Sequence, residues 1–268
     1  MCITSKIPVK RVRIFAGPNG SGKSSLRRAI CEKGIQLGKW INADDLLVSF
    51  RANGDCININ DFLPEFQIDD LKRFYESHAL VVKNNFPYCF DIVPQSNLLH
   101  INDSVFSNKS SVEYVMSVLS DYLRTRLLQT GESFSFETVF SHKSKLEFIH
   151  EARKCGYRIY LYFVCTQSPE LCIARVKTRV KQGGHDVSDD KICERYHRCL
   201  GFLCDAIKKS DRAYLFDNSD TSVAADEMVD ESSMVMEIEQ PVEGMLCWEF
   251  RWDEIPNWIA NSLPFEFK

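Results

Sequence analysis

The chain has 268 residues, of which 44% are hydrophobic, and its formal net charge at pH 7 is −4. This length and apolar content are sufficient for one large α/β core that needs no disulfide bonds. The small negative net charge excludes bulk electrostatic attraction to nucleic acid or to an anionic membrane, so any phosphate binding has to be local.

Cysteine usage and the first residues indicate the cellular compartment. The eleven cysteines are an odd number, and they are scattered without a Cys-x-x-Cys pair. Residues 1–6 lack the apolar core of a signal peptide, and no apolar run approaches the length that spans a bilayer. We therefore expect free thiols in a cytoplasmic protein that has no membrane partner.

A glycine-rich segment lies between the first predicted strand and the first predicted helix. Val12 to Ala16 is a short β-rich apolar run, and helix-forming residues follow Ser25 until Gly34. The segment between them is a complete G-x-x-x-x-G-K-S phosphate-binding loop, Gly17-Pro18-Asn19-Gly20-Ser21-Gly22-Lys23-Ser24. The strand before the loop and the helix after it also fit this motif. We therefore expect the loop, together with Ser25, to bind ATP, and we do not interpret the match as a chance one.

Each residue type in this phosphate loop has a physical task. Glycines at 17, 20 and 22 permit backbone angles closed to other residues and let main-chain N–H groups approach a polyphosphate. Lys23 is expected to reach the β- and γ-phosphates, and the Ser24 hydroxyl is expected to ligate Mg²⁺.

The second predicted strand, residues 39–44, ends in Asp44, which lies twenty-one residues beyond Lys23. The carboxyl ends of strands line the ligand crevice of an open parallel sheet, so Asp44 is a candidate catalytic residue. The alternative is that Asp44 or Asp45 caps the helix that follows.

Residues 53–112 are the least regular part of the sequence. They contain prolines and many Asn and Ser residues between moderately apolar patches. We interpret them as an insertion that bears its own helices, one of them across Ile68 to Lys83, with aromatic residues that serve packing.

The next segments continue an alternation of helices and strands. Helical spacing from Val115 to Leu127 ends before Gly131, and the aromatic, β-branched strand that follows carries Glu137 and Thr138 near its end. The nearly continuous apolar run of residues 157–165 is typical of a strand that is covered on both faces.

Residues 175–195 have the features of a closing lid. Arg175 and Arg179 lie four residues apart on one helix, the Gly183-Gly184-His185 segment interrupts it, and the next helix carries Arg195. One guanidinium can stack on the nucleotide base, a second can neutralise the transferring phosphoryl group, and the glycines can act as a hinge. A solvated helix face is the alternative.

The fifth predicted strand, residues 213–219, ends in Asp217-Asn218-Ser219. The alternation up to this point predicts a single α/β domain with a doubly wound parallel sheet of about five strands and helices on both faces. Together with the phosphate loop, this architecture resembles that of P-loop kinases. Residues 220–268 form a predicted C-terminal extension with a hairpin of residues 233–240 and 244–251.

Several separated motifs carry a family resemblance. They are residues 17–25, Asn42-Ala43-Asp44, Phe136-Glu137-Thr138, residues 175–185 and Asp217-Asn218-Ser219. In this order they resemble zeta-toxin-like kinases, especially the bacterial relatives called predicted ABC-type ATPases, over residues 10–50 and 113–220. The lid is also similar to that of adenylate-kinase-like phosphotransferases.

The resemblance implies an activity and site residues. Zeta toxins phosphorylate the 3′-hydroxyl of the amino sugar in UDP-N-acetylglucosamine with ATP and Mg²⁺, which implies a small-molecule kinase and an antitoxin protein as a partner. It also implies Asp44 as the base, Glu137 with Thr138 at the sugar, and Arg179 at the phosphates.

The chain departs from the toxin pattern in its lid, in its insertion and in its C-terminal hairpin. The lid has Gly-Gly-His where the toxins carry another arginine, so His185 or Arg195 is expected to supply that charge toward the substrate.

Three other functions stay open on the sequence alone. A P-loop ATPase or regulatory switch would use Glu137 as its strand-end acid and His142 to position water. A nucleic-acid end kinase would need a basic track beside the loop, which the net charge disfavours. The third is a non-catalytic nucleotide-binding module within a toxin–antitoxin pair, which would bind ATP without turning it over.

Overall fold

The structure, a computed structural model, describes residues 9–93, 96, 98–102, 110–184, 186–220, 229–242 and 244–263. The chain divides into two compact units, where the sequence suggested one domain. The first unit is Met1–Gly38 with Ser135–Lys268, and the second is Lys39–Phe134. In the described part of the chain, the structure has no helix with both the length and the apolar character needed to cross a membrane.

The described strands are ten in number. In chain order they are β1 (Arg11–Ala16), β2 (Lys39–Ile41), β3 (Cys56–Asn58), β4 (Phe90–Ile92), β5 (Leu98–Ile101), β6 (Phe134–Thr138), β7 (Arg158–Cys165), β8 (Arg212–Asp217), β9 (Met234–Val242) and β10 (Met245–Phe250).

Nine α-helices lie within the described ranges. They are α1 (Lys23–Glu32), α2 (Ala43–Ala52), α3 (Ile68–Ser77), α4 (Ala79–Asn84), α5 (Ser110–Thr130), α6 (Ser144–Lys154), α7 (Pro169–Lys181), α8 (Asp189–Lys208) and α9 (Asn257–Ser262).

The first unit is built on a mostly parallel sheet, with its described strands in the order β10-β9-β8-β7-β1-β6. Strands β1, β7 and β8 run parallel, and β9 and β10 add an antiparallel hairpin at the β8 side. Helix α1 packs on β1 and β7, and α6 packs on β7. The predicted α/β class and the C-terminal hairpin are confirmed.

Strand β7 occupies the centre of this core because its residues are apolar on both faces. From Leu161 to Cys165 each side chain is at most 6% exposed, as expected for a strand with parallel neighbours on both sides. Its register aligns Phe163 with Ala16 of β1 and Cys165 with Asp217 of β8. The carboxyl ends of β1, β7 and β8 therefore meet at one edge of the sheet, where ligands of such folds bind.

The second unit contains the segment that we interpreted as a helical insertion. Its helices are present, but it also carries a three-stranded antiparallel sheet in the order β3-β5-β4, which the sequence did not predict. The single helix predicted across Ile68 to Lys83 is wrong, because His78 is extended and separates α3 from α4. The His78 imidazole accepts from Leu80 N at 3.2 Å and so caps the second helix.

Candidate active site

The phosphate loop joins β1 to α1 at the carboxyl edge of the parallel sheet. Within it, Ser21 N donates to Pro18 O at 3.3 Å, and Gly22 caps α1 with a left-handed φ of 102°. The helix begins at Lys23, and its first hydrogen bond runs from Leu26 N to Gly22 O at 3.0 Å. The loop thus ends at a helix N-terminus, which favours anions through its exposed N–H groups and its dipole.

The three loop glycines are required by packing against the rest of the first unit. All three have positive φ, and an added Cβ would lie 2.0 Å from Val164 O at Gly17, 2.5 Å from Cys172 O at Gly20 and 2.4 Å from Asn218 Nδ2 at Gly22. The absent side chains therefore let the loop lie against β7, α7 and the end of β8, in addition to the close approach to phosphate that the motif predicts.

Lys23, Ser24 and Glu137 meet at the start of α1. The Lys23 ammonium donates to Pro18 O at 2.8 Å and lies 3.7 Å from Glu137 Oε1. The Ser24 hydroxyl donates to Glu137 Oε2 at 3.0 Å. The carboxylate that we expected at the sugar therefore contacts the cation and the hydroxyl of the phosphate loop, and its role toward a sugar stays a prediction.

This group of oxygen atoms fits Mg²⁺. A serine hydroxyl and a carboxylate in contact beside a phosphate loop are hard oxygen ligands of the type that Mg²⁺ prefers. Mg²⁺ commonly takes only one or two protein oxygens and completes its octahedral shell with phosphates and water.

Asn218 is a site residue to which the sequence assigned no role. It is 4% exposed, and its Nδ2 donates to Ser21 O at 2.8 Å. Its backbone N–H donates to Cys165 O at 2.8 Å and so extends the ladder between β7 and β8. The signal in the sequence was the polar triplet that ends the fifth predicted strand.

Arg175 supports the segment that contains Asn218. Its guanidinium donates to Asn218 O at 2.8 Å and to Asp220 O at 3.1 Å. Burial lowers the pKa of this arginine, and the neighbouring Cys172, Asp217 and Asp220 oppose that shift. Its predicted contact with the nucleotide base stays a prediction.

Arg195 reaches the phosphate loop from α8. Its Nη1 lies 3.3 Å from Asn19 Oδ1 and donates to it. Arg195 is thus a cationic side chain at the loop in addition to Lys23. Its predicted role, to supply the charge of the arginine that the lid lacks, stays a prediction.

The remaining lid residues lie along the turn after α7. Gly184 N donates to Arg179 O at 3.0 Å, and an added Cβ at Gly184 would lie 2.6 Å from Arg179 Cγ. The stem of Arg179 thus runs beside the Gly183-Gly184 turn. His185 lies outside the described residues.

Thr138 shapes the turn that follows β6. Its hydroxyl accepts from Phe140 N at 3.1 Å, and Phe140 has a positive φ of 59°. Its predicted contact with the sugar stays a prediction.

Asp44 belongs to the second unit, in the first turn of α2. The cap of this helix is Asn42, whose Oδ1 accepts from Asp44 N at 2.8 Å, while Asp45 accepts from the Trp40 indole at 2.6 Å. The alternative that Asp44 or Asp45 is the cap is therefore wrong. The exposed Asp44 carboxylate is not used by the cap, and its catalytic role stays a prediction.

Comparison with known families agrees with the resemblance. Residues 98–227 match the family model described as zeta toxin. That span includes Glu137, the lid and Asn218, whereas the phosphate loop and Asp44 precede it. The resemblance to zeta-toxin-like P-loop kinases is therefore confirmed over these residues.

Individual relatives are distant. An uncharacterized protein of Haemophilus influenzae (strain ATCC 51907 / DSM 11121 / KW20 / Rd) is 32% identical over 63 residues, which are 24% of this chain and 45% of that protein. The solved complex of AvrRxo1-ORF1 and AvrRxo1-ORF2 with sulphate ions has a TM-score of 0.47 at 14% identity, covering 89% of this chain and 60% of that chain. The PezAT toxin–antitoxin system of Streptococcus pneumoniae has a TM-score of 0.43 at 16% identity, covering 86% of this chain and 85% of that chain. The chain thus matches less than half the length of the curated relative.

Proposed function

We propose that this chain, which matches the zeta-toxin family over residues 98–227, is an ATP-dependent small-molecule kinase. It transfers the γ-phosphate of ATP to a hydroxyl of a nucleotide-sugar-like acceptor such as UDP-N-acetylglucosamine. The observation that supports this proposal best is the contact of Glu137 with both Lys23 and Ser24 at a complete phosphate loop. The acceptor class follows from the family resemblance.

The phosphate loop binds the triphosphate of ATP. Its N–H groups and the N-terminus of α1 face the β-phosphate region, and the Lys23 ammonium exchanges its bond with Pro18 O for phosphate oxygens. Arg195, already at Asn19, adds positive charge at the same loop.

Ser24 and Glu137 are the residues that would hold Mg²⁺. When bound, the ion neutralises charge on the β- and γ-phosphate oxygens. Glu137 also orients the Ser24 hydroxyl by accepting the hydrogen bond that its O–H group donates, which leaves the hydroxyl lone pairs available for a cation.

Asp44 and Arg179 complete the proposed reaction. The acceptor oxygen forms a bond to the γ-phosphorus, and the bond from that phosphorus to the bridging oxygen of ADP breaks. The Asp44 carboxylate accepts the proton of the acceptor hydroxyl, and the Arg179 guanidinium stabilises the charge that develops on the transferred group.

In this proposal the protein is located in the cytoplasm, and its partner is an antitoxin protein. The family match supports the antitoxin, and the scattered, odd-numbered cysteines support the compartment.

A second function is favoured by the position of Glu137. A strand-end acid beside the P-loop serine is typical of P-loop ATPases, in which water replaces the organic acceptor. In that case the protein hydrolyses ATP and needs no sugar.

Labelled ATP separates the two functions. The purified protein is incubated with γ-labelled ATP, Mg²⁺ and either UDP-sugars or a metabolite extract, and the products are identified by mass spectrometry. We expect label in the amino sugar of UDP-N-acetylglucosamine or in a related hydroxyl compound. Label in free phosphate alone, with or without extract, contradicts the kinase and supports the ATPase.

A further inference from the structure

The last described helix of the chain contacts the segment that follows β8. Trp258 of α9 is 3% exposed, and its indole Nε1 donates to Asp217 Oδ2 at 2.6 Å. Its ring packs against Phe163 of β7, with centroids 5.8 Å apart. Because the buried ring is packed and its N–H group is bonded to a carboxylate, Trp258 is fixed in both position and orientation.

Asp217 in turn orders the residues beside the phosphate loop. Its carboxylate accepts from the backbone N–H and from the hydroxyl of Ser219, each at 2.9 Å. The Ser219 hydroxyl accepts from Gln167 N at 2.7 Å. These bonds fix the backbone on both sides of Asn218, whose side chain donates to Ser21 O at 2.8 Å.

Asn218 is in close contact with the phosphate loop. A Cβ on Gly22 would lie 2.4 Å from Asn218 Nδ2 and 2.8 Å from Val229 Cγ2, so this side of the loop is tightly covered. Ser21 is 0% exposed. A displacement of Asn218 is therefore passed to the peptide between Ser21 and Gly22, directly before Lys23.

We propose that Trp258 and Asp217 are positioning residues for the phosphate loop, so that the C-terminal helix α9 sets the affinity for ATP through Asn218. Trp258 lies beyond the residues that match the zeta-toxin family model, so this coupling belongs to the C-terminal extension. The inference rests on ATP binding at the loop, which is part of the proposed function, and does not depend on the acceptor.

Trp258→Phe tests the coupling with the least change in packing. Phenylalanine keeps a ring against Phe163 and removes the indole donor, which leaves the Asp217 carboxylate one hydrogen bond short. Because the indole donor holds the carboxylate that orders the backbone around Asn218, we expect the dissociation constant for ATP to rise about tenfold. Isothermal titration with ATP and Mg²⁺, without any acceptor, measures it.

Trp252→Phe is the matched control. Trp252 also belongs to the C-terminal extension, and its indole donates to Ser232 O at 2.9 Å. The substitution removes the same kind of donor without touching Asp217, and we expect it to leave ATP binding unchanged. Thermal unfolding without nucleotide is also measured for both variants. It shows whether a variant has lost stability, which is a separate effect from weaker ATP binding by the folded protein.

A double-mutant cycle distinguishes positioning from general damage. If Trp258 acts through Asn218, ATP binding by the Trp258→Phe/Asn218→Ala variant is no weaker than by Asn218→Ala alone. The inference is overturned if the losses of ATP affinity in the two single variants add in the double variant, or if folded Trp258→Phe binds ATP with wild-type affinity. If Trp258→Phe does not fold, Asp217→Asn takes its place in the cycle. Absence of ATP binding by the wild type overturns both the inference and the proposed function, whereas binding without transfer overturns only the kinase.

Discussion

Single charges at the phosphate loop determine what the site can do. Lys23 is 6% exposed, so its ammonium needs compensation, and Pro18 O and Glu137 supply it. The same carboxylate accepts from Ser24. A nucleotide that enters this site meets a cation and a hydroxyl that already lie at the start of α1, and the ammonium only has to exchange its bond with Pro18 O for phosphate oxygens.

Lys23→Ala removes the buried cation from the loop. We expect turnover to fall by about a hundredfold or more, because a positioned charge that stabilises the transferring phosphoryl group commonly contributes a few kcal/mol. Steady-state rates of ADP formation measure it. Lys33→Ala, an exposed lysine at the other end of α1, is the control and is expected to retain the wild-type rate; a Lys23→Ala variant as active as this control contradicts the assignment.

Glu137→Gln separates a role at the metal from a role at the sugar. The amide keeps the shape and one acceptor for Ser24 but loses the charge, so we expect the Mg²⁺ concentration for half-maximal rate to rise about tenfold or more. Glu147→Gln on the exposed face of α6 is the control. A raised KM for the acceptor with an unchanged Mg²⁺ dependence instead places this carboxylate at the sugar, as the family resemblance implies.

At this scale the sequence predicted the contiguous part of the site and missed contacts between distant segments. The phosphate loop could be recognised in the sequence because its residues are neighbours in the chain. The contacts of Glu137 with Ser24, of Arg195 with Asn19 and of Asn218 with Ser21 join residues 113, 176 and 197 positions apart. Such pairs depend on strand order and on register, which no local pattern contains.

Among the elements, the phosphate loop is held by the surfaces on which it lies. Gly20 and Gly34 both have a φ of 76°, but a Cβ at Gly20 would lie 2.5 Å from Cys172 O, whereas at Gly34 nothing lies within 4 Å. A side chain would therefore strain the backbone equally at both glycines, but only at Gly20 would it also collide with α7.

Gly20→Ala and Gly34→Ala measure that contact. Both substitutions place a Cβ at positive φ, which costs about 1 to 2 kcal/mol. Gly20→Ala should lose about 1 to 3 kcal/mol more, because the added methyl group overlaps a carbonyl of the packed core. Chemical denaturation gives the free energies of unfolding, and ATP binding should weaken only in Gly20→Ala. Equal losses of stability in the two variants would mean that the loop does not rest on α7.

Short elements of the second unit show why element prediction failed there. Strands β3 and β4 have three residues each, too few for a period of two to be recognised. The break between α3 and α4 comes from a histidine whose imidazole caps a helix, although histidine is not among the common N-cap residues. In contrast, β7 and α7 were predicted because the nearly continuous apolar run of residues 157–165 and a Ser-Pro start are strong local signals.

For the whole molecule, buried phenols make stability depend on alkaline pH. Burial is the largest cause that raises the pKa of Tyr88, Tyr122 and Tyr162 to about 12 each. In the unfolded chain these phenols ionise near pH 10, the ordinary value for tyrosine. Between pH 10 and pH 12 the folded protein thus binds more protons than the unfolded chain, so its free energy of unfolding falls as the pH rises.

Tyr162→Phe isolates one of these contributions in the core of the first unit. Tyr162 is 6% exposed and stacks between Phe15 and Tyr214, each with ring centroids 5.0 Å away, so phenylalanine preserves the packing. Burial, followed by the neighbouring Tyr214, raises the pKa of Tyr162 to about 12, which corresponds to about 2 to 3 kcal/mol of stability present below pH 10 and lost by pH 12. Denaturant unfolding across this range should therefore show a shallower decline for Tyr162→Phe than for the wild type. Tyr114→Phe, which alters a 38% exposed phenol, should follow the wild-type decline; if Tyr162→Phe does so as well, the Tyr162 phenol ionises in the folded protein at the same pH as in the unfolded chain.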